Sequence, residues 1–158
     1  MGQSRGDKRR PFIKGSFQLP NALTNYSFKT LMSGVSDLDL SINFPIGEKI
    51  HLGIGAEHQY FTFDDLAVPE QTNASMQMTG PSLALGYSIE SSEKISLEFG
   101  FQGSYNFLLT KSITCQAATG KEYYVSKAIG YKPYFSGWVK SNENLYFGLS
   151  LSYSIVTA

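Results

Sequence analysis

A chain of 158 residues holds one compact domain. Formal net charge is zero and 16% of residues are charged, against ~25% in ordinary soluble domains, so no basic balance points to nucleic acid. No run approaches the ~18 apolar residues of a membrane helix, which excludes a helical membrane protein but not a membrane β-barrel, whose apolar residues alternate with polar ones.

Met1 to Arg10 is polar and basic, without the apolar stretch of a signal peptide. It reads as a disordered basic lead, either a cytosolic N-terminus or the polar lead-in left after cleavage. The domain then runs from 11 to 158. Pro11 to Leu19 is the first strand, with Ile13, Gly15, Phe17 and Leu19 on one face and Phe12, Lys14, Ser16 and Gln18 on the other. Pro20-Asn21 breaks it. Asn21 to Ser36 supports two readings: a short strand over Tyr26 to Met32, or a long loop.

Asp37 to Ile46 alternates clearly, Leu38, Leu40, Ile42 and Phe44 against Asp37, Asp39, Ser41 and Asn43. Gly47-Glu48-Lys49 is a tight turn into Ile50 to Phe63. A long polar loop from Asp64 to Ser75 precedes the strand Met76 to Ile89, where Leu83, Leu85, Tyr87 and Ile89 oppose Gly80, Ser82, Ala84, Gly86 and Ser88. After Ser91 to Lys94, another short turn, comes the most regular stretch, Ile95 to Leu109. Its apolar row is Ile95, Leu97, Phe99, Phe101, Tyr105 and Phe107; its polar row is Ser96, Glu98, Gly100, Gln102, Ser104 and Asn106. A long connection spans about Thr110 to Val125. Ser126 to Val139 follows, with Lys132, Tyr134, Ser136 and Trp138 on its polar row. Ser141 to Asn144 is a third short turn, and Leu145 to Val156 is the last strand.

These strands exceed the ~5–6 residues of a soluble domain and match the ~9–11 that cross a bilayer. Short turns alternate with long connections. That is the pattern of an all-β, antiparallel up-and-down transmembrane β-barrel of about eight strands, with short turns at one end and long loops at the other. The polar rows decide which way the strands face. A water-exposed row is rich in Lys, Glu and Thr, whereas these rows are rich in Gly and Ser, which a narrow lumen can hold. The few charges on them have both signs, and Lys14, Asp37, Asp39, Glu57, Glu98 and Lys132 are expected to pair inside the lumen. Tyr60, Tyr87, Tyr105, Phe107, Tyr131 and Tyr153 are candidates for aromatic girdles at the membrane interfaces. In a soluble barrel they would be core aromatics instead.

The stretches DLDLSINFPIGEKIHLGIGAEHQY, PSLALGYSIESSEKISLEFGFQGSYNF and ENLYFGLSLSYSI resemble the small outer-membrane β-barrels of Gram-negative bacteria, similar in shape to outer-membrane proteins A and X. LPNALTNYSFKTLMSGVSDLDLS is similar to porin-family proteins of the Bacteroidetes. The resemblance is one of pattern over residues 11 to 157. It implies a bacterial outer-membrane location, with lipid and other outer-membrane proteins as partners and no nucleic acid. The count departs from the family: seven clear strands, where such barrels carry an even number. Without an eighth at Tyr26 to Met32, a closing strand is missing or supplied by a partner, since an open edge invites pairing.

No zinc spacing, phosphate loop or nucleophile triad is present, and no catalytic residue, metal or cofactor is expected. Lipid A deacylases of the barrel type use a His and a Ser two apart on the lipid face; Tyr60 stands where His58 would need that Ser. His51 reads as a solvated strand end. Cys115, the one cysteine, forms no internal disulfide and reads as an incidental thiol. A water-filled pore needs ~16 strands. The reading is a non-enzymatic outer-membrane barrel, an envelope scaffold or a subunit of a larger outer-membrane assembly. The alternative is a soluble β-barrel whose Phe99, Phe101, Leu149 and Leu151 line a pocket for an apolar small ligand.

Overall fold

The computed structural model describes residues 10–20, 32–63, 74–112, 116–118, 120–142 and 145–157. Strands β1 (Phe12–Gln18), β2 (Met32–Pro45), β3 (Ile50–Phe63), β4 (Ser75–Glu90), β5 (Ile95–Lys111), β6 (Tyr123–Asn142), β7 (Leu145–Ser152) and β8 (Ile155–Thr157) form one antiparallel sheet. Chain neighbours pair in order from β1 to β7. β8 pairs with β6 at Ile129 to Tyr131, just beyond the Tyr134 to Asn142 segment held by β7. β7 and β8 are thus one interrupted strand laid end to end along β6. The interruption falls at Tyr153-Ser154, where the Tyr153 N–H still donates to the Pro133 carbonyl at 3.1 Å.

The strands begin and end close to where alternation places them, with two differences besides the interruption of the last strand. β2 starts at Met32 rather than Asp37, because a register shift between Gly34 and Ser36 absorbs the break in alternation and keeps both faces in phase. β6 runs from Tyr123 to Asn142, longer than its periodic centre, because β5 offers partners up to Lys111. The lead at 1–9, the strand-or-loop question over Tyr26 to Leu31, the polar loop over 64–73 and Cys115 all lie outside the described residues.

Short turns close the sheet at one end. The Ile46 and Gly47 N–H groups donate to the Ile50 carbonyl, and those of Ser91 and Ser92 to the Ile95 carbonyl. The Ser92 hydroxyl accepts from the Lys94 and Ile95 N–H groups, which fixes that turn.

The sheet curls until its far strands touch through side chains. Lys14 on β1 reaches Glu98 on β5 at 2.7 Å, and Ser152 on β7 donates to Gln18 on β1 at 2.7 Å. Gln102 on β5 bonds Asp39 on β2, although pairing places it level with Ala84, Gly53 and Asn43. That four-residue offset along β2 is the stagger of a rolled sheet with tilted strands. Among the described residues, β1 and β7 share no backbone pairing, so the sheet is rolled but not closed.

Burial is inverted relative to a water-soluble domain. On the concave face Asp37, Asn43, His51, Glu57, Gln59, Glu98, Gln102, Ser104, Asn106, Lys132 and Ser136 are buried. The convex face exposes Ile, Leu, Phe, Tyr and Val on every strand. Among the described residues the buried apolar side chains are Phe61, Ala74, Met78 and Ala128, near the long-connection end.

Glycine makes the concave face possible. A methyl added at Gly100 would fall within the Tyr134 ring, and one at Gly86 would strike the His51 imidazole. Gly100→Ala should therefore destabilise the fold by about 1–3 kcal/mol, the range for overpacking. Gly103→Ala, which meets nothing within 4 Å, should change stability little. Paired denaturant titrations of the two variants check this.

Candidate functional site

The buried polar face carries the most concentrated chemistry in the chain. It exists because odd residues of β2 and β3 and even residues of β4, β5 and β6 all point the same way, as the antiparallel register requires. Its side chains sort into two clusters.

The first is built on Glu98. Its Oε1 accepts from Lys14 Nζ at 2.7 Å and from the Tyr134 hydroxyl at 2.7 Å, and lies 3.2 Å from His51 Nε2. Its Oε2 accepts from Trp138 Nε1 at 3.1 Å. Three donors and the His51 ring, carried by β1, β3 and β6, therefore converge on one carboxylate. The Lys14 ammonium also stands over the Tyr134 ring, 4.3 Å from its centroid, and 5.3 Å from that of Trp138. Phe12 packs edge-on against His51, with centroids 5.4 Å apart.

The second is built on Lys132. Its Nζ lies 3.1 Å from Asp37 Oδ2, 3.1 Å from Asp39 Oδ2 and 3.4 Å from Glu57 Oε2. Neutral donors satisfy the remaining carboxylate oxygens. Gln59 donates to Asp37 at 3.3 Å, and Gln102 to Asp39 at 2.9 Å and to Glu57 at 3.1 Å. Ser104 and Asn106 donate to Glu57 Oε1 at 2.6 Å and 2.5 Å. Isolated buried carboxylates are costly; here each has a cation and amide or hydroxyl donors within reach.

All six charged residues named from the sequence, Lys14, Asp37, Asp39, Glu57, Glu98 and Lys132, lie on this face and engage one another. His51 does not lie at a solvated strand end: it is buried against Glu98, because its odd position on β3 turns it inward beside Gly86. Gln59, Gln102, Asn106, Tyr134 and Trp138 complete the clusters, and each shares its strand parity with a charged member. That parity was the available signal.

The aromatics fall on the convex face. Tyr87, Tyr105, Phe107, Tyr131 and Tyr153 are exposed and Tyr60 is half-exposed. Tyr87 is level with Phe99 and Phe135 in the register, and the Phe99 and Phe135 rings lie 4.8 Å apart. Tyr105 meets Phe107 at 5.6 Å, further towards the long connections.

Among the described residues, no group of three His, Cys, Asp or Glu could hold a metal ion, and no helix is long and apolar enough to cross a membrane. No family model, curated protein or solved structure matches the chain.

Two substitutions test the clusters. Lys132→Met leaves Asp37, Asp39 and Glu57 without their cation and should cost about 3–5 kcal/mol, the range for breaking a buried ion pair. Adding Asp37→Asn and Glu57→Gln should recover part of that loss, read as a shift in the denaturation midpoint. Glu98→Gln should move the emission of Trp138, the one tryptophan, because its indole N–H donates to that carboxylate.

Proposed function

We propose that this chain is a non-enzymatic β-barrel of a Gram-negative outer membrane, of the porin-like kind found in Bacteroidetes, serving as an envelope scaffold or as a subunit of a larger outer-membrane assembly. The inverted burial carries the reading. A face of Leu, Ile, Phe and Val on every strand wants an apolar solvent, and a face of paired charges and amides wants enclosure. Large apolar patches on water-soluble monomers rarely exceed a few hundred Å². Here large apolar side chains are exposed on the convex surface of every strand.

Dimensions support it. The outward row of β5 from Ile95 to Phe107 rises roughly 30 Å at ~3.3 Å per residue and the ~40° tilt of such barrels. The apolar band of outer-membrane barrels is ~25 Å tall. Long connections at one end then face outside and the short turns face the periplasm. The clusters centred on Glu98 and Lys132 fill the interior with side chains, which suits a scaffold rather than a pore. A soluble barrel would need Phe99, Phe101, Leu149 and Leu151 around an internal pocket, but all four face outward, with Leu149 87% exposed and Leu151 77% exposed.

Leu85→Lys separates the two environments. Leu85 is 52% exposed at mid-strand. On a water-facing surface such a change stays within about 0.5 kcal/mol. On a lipid face near the bilayer centre it costs about 2–4 kcal/mol. Urea titration of both forms in lipid vesicles should give the larger figure. The unsubstituted protein should also show a heat-dependent shift in SDS gels after refolding in micelles; monodisperse β-structure in plain buffer would contradict the proposal.

A further inference from the structure

The two edges of the rolled sheet, β1 and β7, face each other across a seam bridged by the Gln18–Ser152 side-chain bond. Six antiparallel steps separate β1 from β7, so these two strands run in the same direction. The Gln18–Ser152 bond sets the width near the long-connection end. A glutamine and a serine joined at 2.7 Å span at most about 10 Å between Cα atoms. Directly paired strands stand ~4.8 Å apart, and strands with one other between them about 10 Å apart. Among the described residues β1 and β7 share no backbone pairing, and the Gln18–Ser152 bond keeps the seam no wider than one inserted strand at that level.

Both edges carry the same alternation. Ile13 and Phe17 on β1, and Phe147, Leu149 and Leu151 on β7, face outward, while Ser16, Gln18, Ser150 and Ser152 face inward. In lipid an unpaired edge leaves N–H and C=O groups unsatisfied at several kcal/mol each. Among the described residues the inward face also carries more carboxylates than lysines: Asp37, Asp39, Glu57 and Glu98 stand against Lys14 and Lys132, with the His51 ring beside Glu98. Asp39 is the carboxylate beside the seam, within 3.4 Å of the Ser16 hydroxyl on β1.

Resting on the membrane-barrel reading, we propose that the seam is a docking site for one extended segment of a separate polypeptide, inserted antiparallel to both β1 and β7. Its outward residues are apolar. Its inward residues are small where they pass beneath the Gln18–Ser152 bond, and one of them is a Lys or Arg directed at Asp39. Insertion completes the hydrogen bonding of both edges, gives an even strand count and adds a cation to an interior with excess carboxylate.

The test uses the full chain with Cys115→Ser, refolded in detergent micelles, carrying Ser16→Cys or Ser150→Cys. The probe is a synthetic strand of about 9 residues, bilayer-spanning length, with Leu and Val alternating with Ser and Gly, one inward Lys and one inward Cys. Under mild oxidation it should cross-link to both seam positions and not to Ser82→Cys, which is inward on β4. A probe with Glu in place of the Lys should need at least about tenfold more peptide, about 1.4 kcal/mol in affinity.

An internal disulfide in the Ser16→Cys/Ser150→Cys double variant without peptide would overturn the proposal, because that bond needs Cα atoms within ~4.4–6.8 Å and would mean the seam closes on itself. So would a disulfide between two barrels, which would assign the seam to a second copy, or equal capture of the Lys and Glu probes, or none of either. Circular dichroism of the same samples keeps the two readings apart. A chain that is β-structured in micelles but ignores the probe loses only the docking site, whereas one that is β-structured without detergent loses the membrane reading.

Discussion

Everything in this structure depends on keeping charged side chains paired on one face of a rolled sheet. Lys132 holds Asp37, Asp39 and Glu57, and Glu98 holds Lys14, Tyr134 and Trp138 beside the His51 ring. Those contacts tie β1, β2, β3, β5 and β6 together across the interior rather than along the ladder. They reward curvature: a flat sheet could not bring Lys14 to Glu98, four strands away. Once the polar face is rolled inward, the apolar residues have nowhere to go but out. The outer surface is thus a consequence of the inner one, and the proposed membrane setting would supply a solvent that accepts Leu and Phe there.

Much of this was legible in the residues because a strand has a period of two. Alternation fixes which residues share a face, and the antiparallel register then carries that assignment from strand to strand. Leu83, Leu85 and Tyr87 belong together for that reason, as do Ser82 and Gly86. The same logic gathered six charged residues into one interior without any knowledge of their partners. Alternation could not specify the partners themselves. Gln102 meets Asp39 and Glu57 because of the stagger of the rolled sheet, a property of the whole assembly that no local pattern encodes.

His51 shows where local reading fails. It sits next to a turn, and a polar residue there usually meets water. Its burial depends on two distant features, the space left by Gly86 on the neighbouring strand and the carboxylate of Glu98 beyond it. The start of β2 shows another failure: the register shift at Gly34 to Ser36 breaks the period just where the period was the only guide. The division of the last strand into β7 and β8 is of the same kind, because Ser154 continues the alternation while the pairing lapses at that point. Strand count and closure are therefore global properties, and the odd number of passes among the described residues is a feature of the sheet topology that no local pattern encodes.

The central claim is that the convex face meets lipid while the concave face meets only protein. A nitroxide scan along β4 from Pro81 to Ile89, in lipid vesicles, tests it most directly. Collision rates with oxygen, which partitions into hydrocarbon, should rise and fall with period two, high at Leu83, Leu85 and Tyr87 and low at Ser82, Ala84 and Gly86. A water-soluble nickel chelate should reach none of the outward positions at mid-strand. High nickel accessibility at Leu83 and Leu85 would place that face in water and contradict the account.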